Sequence, residues 1–203
     1  MDAKFEFDEV SKDILKELAN IGTGHAVSSL SQMMGCSVDI DVPKFRLLPF
    51  KDISIILREQ EELFTGIKME VDGHMEGTFL FLLSTPFTHA ILSSILGEKE
   101  RMIIELDEID QSLLCEVGNI MCGSYIRAMA EVTGMDMRVS VPQLCIDMGG
   151  AILNSVLPNM LWVGDEVLMI ENLFHVDGKE FSGWILFFPE MKTLEGIFQK
   201  LMG

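Results

Sequence analysis

Two short stretches of the sequence carry the same pair of polar side chains at the same spacing. Glu17 and Asn20 lie three residues apart in "ELANIGTGHA", and Glu116 and Asn119 lie three apart in "EVGNIMCGSY". An Asn amide offers a donor and an acceptor, so it can orient a water molecule without being a strong base. A Glu carboxylate carries a negative charge that suits a Lys or Arg of a partner. The pair therefore fits positioning chemistry rather than covalent catalysis.

Other catalytic interpretations of these stretches find less support. The nearby Ser residues have no His at a position that would make a nucleophilic pair. The segment "NIGTGH" follows no strand pattern, so a phosphate-binding loop is a poor interpretation. His25 occurs only in the first stretch, which favours a residue at the edge of the core or a capping residue over a shared catalytic role.

The two stretches belong to an internal duplication that organises the whole chain. Residues around the Glu–Asn pairs align at an offset of 99, and a later block, with Gly77 and Gly183, aligns at an offset of 106. The copies occupy residues of about 9–97 and 107–203, with a charged linker near 97–107. We predict one domain, residues 1–203, because so short a chain favours two copies that share one core.

Each copy shows the same order of predicted elements. A long amphipathic helix comes first, near residues 9–34 and 107–133, and a shorter helix closes each copy, near 87–96 and 191–202. Strand patterns with partial alternation lie between the helices: Cys36–Leu48, Ile53–Leu57, Leu63–Val71 and Gly77–Leu83, then Met137–Met148, Ala151–Leu157, Trp162–Phe174 and Ser182–Phe188. This order predicts an α+β fold with pseudo-twofold symmetry and one shared, largely antiparallel sheet, covered on one face.

Both long helices must position their Glu–Asn pair on the side that faces away from the core. At about 100° per residue, polar or small residues share one side of each helix. This polar ridge comprises Asp13, Glu17, Asn20 and Gly24 in the first copy and Ser112, Glu116, Asn119 and Gly123 in the second. A glycine in a helix costs roughly 1 kcal/mol. Its presence on both ridges predicts that another backbone comes close there.

A solvated helix face is the ordinary explanation of such a stripe. The duplication favours function, because neighbouring exposed positions differ between the copies: Lys16 corresponds to Cys115, and Ser28 corresponds to Arg127. Glu and Asn are the same in both. We expect an exposed ridge without a groove, which lacks the enclosed pocket of a stand-alone enzyme. The remaining catalytic groups would then come from a partner protein.

Composition and charge exclude several classes of function. The formal net charge of −17 disfavours nucleic acid and anionic membrane surfaces as partners. No apolar run reaches the roughly 18 residues of a membrane helix, and no secretory signal pattern is present. The four cysteines form no C-x-x-C pair, so we expect reduced thiols, no metal site and a cytoplasmic location.

The repeated pattern resembles the CheC phosphatases of bacterial and archaeal chemotaxis, which are related to CheX and to the flagellar switch phosphatase FliY. The pattern is Asp or Ser, Glu four residues on, Asn three further and a downstream Pro. It is present as Asp13, Glu17, Asn20 and Pro43 and again as Ser112, Glu116, Asn119 and Pro142. The resemblance covers nearly the whole chain, and two intact copies favour CheC over relatives with one site.

This resemblance implies dephosphorylation of the aspartyl phosphate of the response regulator CheY. Asn20 and Asn119 would orient the attacking water, and Glu17 and Glu116 would pair with a lysine of the regulator. Asp13 and Ser112 would support the ridge or contact the partner. The family needs no cofactor of its own, since the Mg²⁺ belongs to the regulator, and its members also bind the deamidase CheD. The alternative is a non-catalytic module that binds CheD or the flagellar switch.

Overall fold

Each copy begins with a long helix and continues into strands, as the duplication predicts. The computed structural model describes residues 9–41, 44–49, 52–53, 62–74, 76–98, 102–156 and 166–189. Within them the α-helices are α1 (Glu9–Met34), α2 (Thr85–Leu96), α3 (Glu108–Thr133) and α4 (Gly149–Val156). The predicted long helices near 9–34 and 107–133 and the short helix near 87–96 are therefore present. The helix predicted near 191–202 lies outside the described residues.

The eight described strands form a single sheet. They are β1 (Val38–Ile40), β2 (Lys44–Pro49), β3 (Leu63–Gly73), β4 (Gly77–Ser84), β5 (Met137–Val139), β6 (Gln143–Met148), β7 (Glu166–Val176) and β8 (Lys179–Pro189). The order is β1-β7-β8-β4-β3-β5, with β2 also on β7 and β6 also on β3, and every pairing is antiparallel. Strands of the two copies thus share one antiparallel sheet, as predicted.

The register of the central pair places a local twofold axis within the sheet. Strands β4 and β8 are equivalent in the two copies, and they pair with each other. Leu80 lies opposite Leu186, which is its own counterpart at the offset of 106. The other pairs of β4 and β8 are arranged symmetrically about Leu80 and Leu186, and the two halves continue outward from this line in the same order.

Several strand predictions need correction. Ala151–Leu157 is predicted as a strand, but α4 occupies residues 149–156. Short apolar runs do not distinguish a strand from a buried helical turn, and Ile152, Leu153 and Val156 recur at helical spacing on the buried side. The segment Ile53–Leu57 begins in helical backbone at 52–53, and 54–57 lie outside the described residues.

The remaining corrections concern strand extent. Cys36–Leu48 and Met137–Met148 are each divided into two short strands. The described part of Trp162–Phe174 begins at Glu166, and β8 extends beyond the predicted Ser182–Phe188 at both ends.

The sheet is covered on both faces, not on one as predicted. Every residue of β4 from Thr78 to Ser84 is buried, although neighbouring side chains point to opposite faces. One apolar cluster lies between the sheet and helices α1, α2 and α3, and includes Phe79, Phe81 and Phe87. A second cluster lies on the opposite face beneath α4 and includes Leu80 and Trp184. The continuous apolar run of β4 is the sequence signal of burial on both faces.

The linker between the copies fixes the start of α3. Ile103 and Leu106 are buried in the described part of this segment, so it is only partly the exposed connection that its charge predicts. The Asp107 side chain accepts hydrogen bonds from the backbone N–H groups of Ile109 and Asp110. The Asp110 carboxylate accepts one in return from the Asp107 backbone, which completes a capping box. The second ridge therefore begins from a well-defined helix end.

Helices α1 and α3 pack directly against each other, which brings the two copies of the ridge onto neighbouring helices. A Cβ on Gly22 would lie 2.9 Å from the ring of Tyr125, so glycine allows the close contact. The buried Tyr125 hydroxyl donates to Asn172 Oδ1 of β7 at 3.3 Å and accepts from the Thr23 hydroxyl at 2.7 Å. These hydrogen bonds join both long helices to the sheet.

Candidate functional site

The ridge on α1 is exposed to solvent, as its spacing predicts. The Glu17, Asn20 and Gly24 positions are exposed, whereas Leu18 is buried. Asp13 lies within α1, and its side chain is outside the described part of the chain. Since α1 runs unbroken through Asn20 and Gly24, neither residue ends the helix.

The ridge on α3 is less exposed than the ridge on α1, and its Glu–Asn pair is joined by a hydrogen bond. Ser112 and Glu116 are exposed, while Asn119 and Gly123 are half-buried. The Asn119 Nδ2 donates a hydrogen bond to Glu116 Oε2 at 3.2 Å. Among the described residues, no matching bond joins the Glu–Asn pair of the first copy. The second pair is therefore oriented before any partner arrives, with the Asn119 carbonyl oxygen left to accept another hydrogen bond.

The two ridge glycines are surrounded by open space. A Cβ built on Gly24 or Gly123 would meet no atom within 4 Å. By contrast, a Cβ on Gly22 would contact Tyr125, and one on Gly118 would overlap Ile67. Contacts within the described chain therefore account for the interior glycines and leave the ridge glycines unexplained. The prediction that another backbone approaches the ridge stays open.

An open depression of about 430 Å³ lies beside the second Glu–Asn pair. Helices α1 and α3 both contribute to its wall, which is lined by His25, Ser28, Ser29, Glu116, Asn119, Ile120, Gly123, Ser124 and Arg127. The expectation of a ridge without a groove is thus wrong for the second copy. The reason is that the neighbouring helix stands beside the ridge and forms the opposite side of the depression.

His25 and Arg127 are the residues that sequence reasoning undervalued. His25 lines the depression, and its Nδ1 is buried without a hydrogen-bond partner among the described residues. A buried polar atom of this kind usually forms a hydrogen bond with a water or a ligand, because an unpaired buried polar group costs free energy. Arg127 lies at a position where the copies differ, since the first copy has Ser28 there. The sequence signal that marks Arg127 as a candidate site residue is its helical spacing. It lies eight residues after Asn119, with Gly123 halfway between.

The cysteines near the site are unsuited to act as nucleophiles. Burial raises the pKa of the Cys122 thiol to about 12, and partial burial raises that of Cys115 as well. Both thiols are protonated near neutral pH, whereas the thiolate is the nucleophilic form. Within the described ranges, no cluster of three His, Cys, Asp or Glu side chains could hold a metal ion.

No helix in the described part of the chain is long and apolar enough to cross a membrane.

The fold is one that flagellar and chemotaxis proteins share. Thermotoga maritima FliY superposes with a TM-score of 0.75 at 20% identity, covering 97% of this chain and 98% of that one. The FliM middle domain from H. pylori superposes with a TM-score of 0.70 at 11% identity, covering 96% and 99%. At these identities the likeness establishes the fold and not the activity.

The sequence gives a closer relation. The family model described as CheC-like matches residues 10–46 and 109–146, which include both polar ridges and end within β2 and β6. The CheY-P phosphatase CheC of Bacillus subtilis (strain 168) is 28% identical over 199 residues, covering 95% of this chain and 94% of that protein. The chain is therefore similar to CheC-like proteins at both copies of the repeated pattern, in agreement with the resemblance that this pattern predicts.

Proposed function

We propose that this protein is a phosphatase that accelerates loss of the aspartyl phosphate from a response regulator of the CheY type. One observation carries the proposal: the Glu–Asn pair occurs twice, on exposed faces of two neighbouring helices that belong to a CheC-like chain. The 28% identity to a protein named CheY-P phosphatase supports the same substrate.

The chemistry requires a water placed in line with the bond that breaks. Asn20 or Asn119 accepts a hydrogen bond from the water, so that a lone pair of the water oxygen faces phosphorus. Attack by the water forms a phosphorus–oxygen bond and breaks the bond to the aspartyl oxygen. The products are the free carboxylate of the regulator and inorganic phosphate. An amide is enough for this role because phosphoryl transfer depends mainly on positioning and charge.

The acidic member of each pair holds the partner in register. Glu17 and Glu116 would each pair with a lysine of the regulator, since an exposed carboxylate forms a charge-assisted bond with an ammonium group. Asp13 and Ser112 lie one turn earlier on each ridge and would contact the partner or support the ridge. The hydrogen bond between Asn119 and Glu116 fixes the amide in the orientation that leaves its carbonyl oxygen free for water.

The partner would supply the metal ion of the reaction. The Mg²⁺ that neutralises the phosphoryl charge would be bound by the regulator, and the resemblance to CheC adds the deamidase CheD as a second partner. We place the protein in the cytoplasm, where phosphorylated regulators act. These assignments rest on the family and on the chemistry of the pair.

A non-catalytic adaptor that binds CheD or the flagellar switch is the second candidate, because an exposed Glu–Asn ridge can also serve as a binding surface alone. The phosphatase and adaptor hypotheses differ in whether the protein changes the rate of phosphate release. A purified CheY-type regulator is phosphorylated with a small-molecule phosphodonor, the donor is removed, and phosphate release is followed with and without this protein. The phosphatase reading predicts faster release at substoichiometric protein. Binding with an unchanged release rate would support the adaptor instead.

A further inference from the structure

Arg127 places a positive charge at the depression beside the second Glu–Asn pair. Its side chain is exposed and lines the depression together with Asn119 and Glu116. In the part of the chain that the structure describes, its guanidinium forms no ion pair. The protein as a whole is strongly acidic, with a formal net charge of −17. The guanidinium can therefore bind an anionic group of a partner.

The spacing on α3 leaves a gap between Arg127 and Asn119 that is large enough for an anionic group. The two residues are eight positions apart, which is about 12 Å along a helix axis. Side chains on a helix lean toward its N-terminus, so Arg127 leans over Gly123 in the direction of Asn119. Gly123 places no side chain in the gap, and a Cβ there would meet nothing within 4 Å. An anionic group can therefore lie over Gly123 between the amide and the guanidinium.

The chemistry of the proposed substrate matches this arrangement. A phosphoryl group presents oxygens that a guanidinium binds in two places at once. Negative charge on these oxygens must be stabilised as the phosphoryl group passes to water, and an arginine often supplies that stabilisation. The charged or titratable groups that line the depression are His25, Glu116 and Arg127, of which Arg127 carries the permanent positive charge.

We propose that Arg127 binds the phosphoryl oxygens of the partner's aspartyl phosphate while Asn119 positions the water. The inference rests on the proposed phosphatase function and adds an asymmetry to it. The first copy has Ser28 at the equivalent position, eight residues after Asn20, and therefore lacks this contact on its own helix. The two sites then differ in mechanism: one holds the phosphoryl group with its own arginine, and the other relies on the regulator's groups alone.

Chains with one working site give the test. Asn20→Ala leaves only the second site, and Asn119→Ala leaves only the first. In the Asn20→Ala chain, Arg127→Ser should lower kcat by about tenfold or more, since a charge on a phosphoryl transition state is worth at least that much. Arg127→Lys should restore part of the loss, because it keeps the charge without the bidentate geometry. In the Asn119→Ala chain, Arg127→Ser should change the rate by a much smaller factor.

A matched control separates loss of the contact from loss of one surface charge. Arg138→Ser removes an exposed arginine of β5 that pairs with Asp72, and it should leave phosphate release unchanged. Thermal unfolding of each variant checks the fold. If Arg127→Ser raises only the half-saturating regulator concentration, or changes nothing, the phosphoryl contact is wrong. If the Asn20→Ala chain is inactive before any change at Arg127, the second site itself does not work, and the two-site phosphatase proposal fails first.

Discussion

At the scale of residues, the two Glu–Asn pairs are alike in sequence and different in surroundings. Glu116 and Asn119 are bonded to each other and border a depression, whereas Glu17 and Asn20 lie on an exposed helix face. The residue two turns further along each helix also differs, since Arg127 follows the second pair where Ser28 follows the first. A duplicated site is therefore free to specialise while its central pair stays the same.

The ridge glycines give a prediction in which stability and activity move in opposite directions. Gly24→Ala and Gly123→Ala should each raise the free energy of unfolding by roughly 0.5–1 kcal/mol, because alanine is the better helix former and open space receives the Cβ. Phosphate release should slow, since the added methyl groups obstruct the approaching regulator. Urea denaturation and the release assay measure the two effects.

Gly22→Ala is the matched control on the same helix. Its Cβ would press on the Tyr125 ring, so this variant should lose stability rather than gain it. If both ridge variants keep full activity despite their added methyl groups, then no partner backbone approaches the ridge at the glycines.

At the scale of elements, the packing of α1 against α3 positions both ridges. The buried Tyr125 hydroxyl stabilises this packing through its hydrogen bonds. Burial raises the pKa of Tyr125 to about 12, while hydrogen bonds with Thr23 and Asn172 oppose the shift. The folded chain thus favours the neutral phenol. This contribution to stability is complete below the ordinary tyrosine pKa of about 10, and it is lost as pH rises from about 10 through 12.

Tyr125→Phe tests this contribution. Near neutral pH the variant should be less stable by about 1–3 kcal/mol, because the buried Asn172 and Thr23 side chains lose a partner. Above about pH 10 the difference from the natural chain should shrink with rising pH, since only the natural chain carries the titrating phenol. Urea midpoints between pH 8 and 11 measure the difference. A stability difference that stays constant or grows with rising pH would contradict the predicted role of the buried Tyr125 hydroxyl.

Sequence reasoning located the elements better than it located the site. The duplicated period and the 3.6-residue pattern gave both long helices almost to the residue, and the antiparallel sheet followed from the duplication. It failed at Ala151–Leu157, where a short apolar run fits a strand and a helix equally well. It also missed the depression, because His25 and Arg127 line the same depression only through the packing of two helices. The spacing of residues along one helix does not predict how that helix packs against another.

At the scale of the whole molecule, the sheet interleaves the two copies. β7 and β8 of the second copy separate β1 from β4 of the first, so neither copy has a complete sheet by itself. We predict that the chain unfolds as one cooperative unit, with the same urea midpoint from far-UV circular dichroism and from Trp fluorescence. Residues 1–97 expressed alone should not fold. Two separate transitions, or a folded fragment, would indicate two domains instead of one.

The central claim is that the two asparagines accelerate dephosphorylation, and one measurement addresses it most directly. The decay of a phosphorylated CheY-type regulator is followed with the natural chain and with a chain carrying Asn20→Ala and Asn119→Ala together. We predict that the double variant keeps its fold by circular dichroism and leaves the regulator to lose phosphate at its own intrinsic rate. A double variant that shortens the lifetime of the phosphorylated regulator as much as the natural chain does would contradict the account.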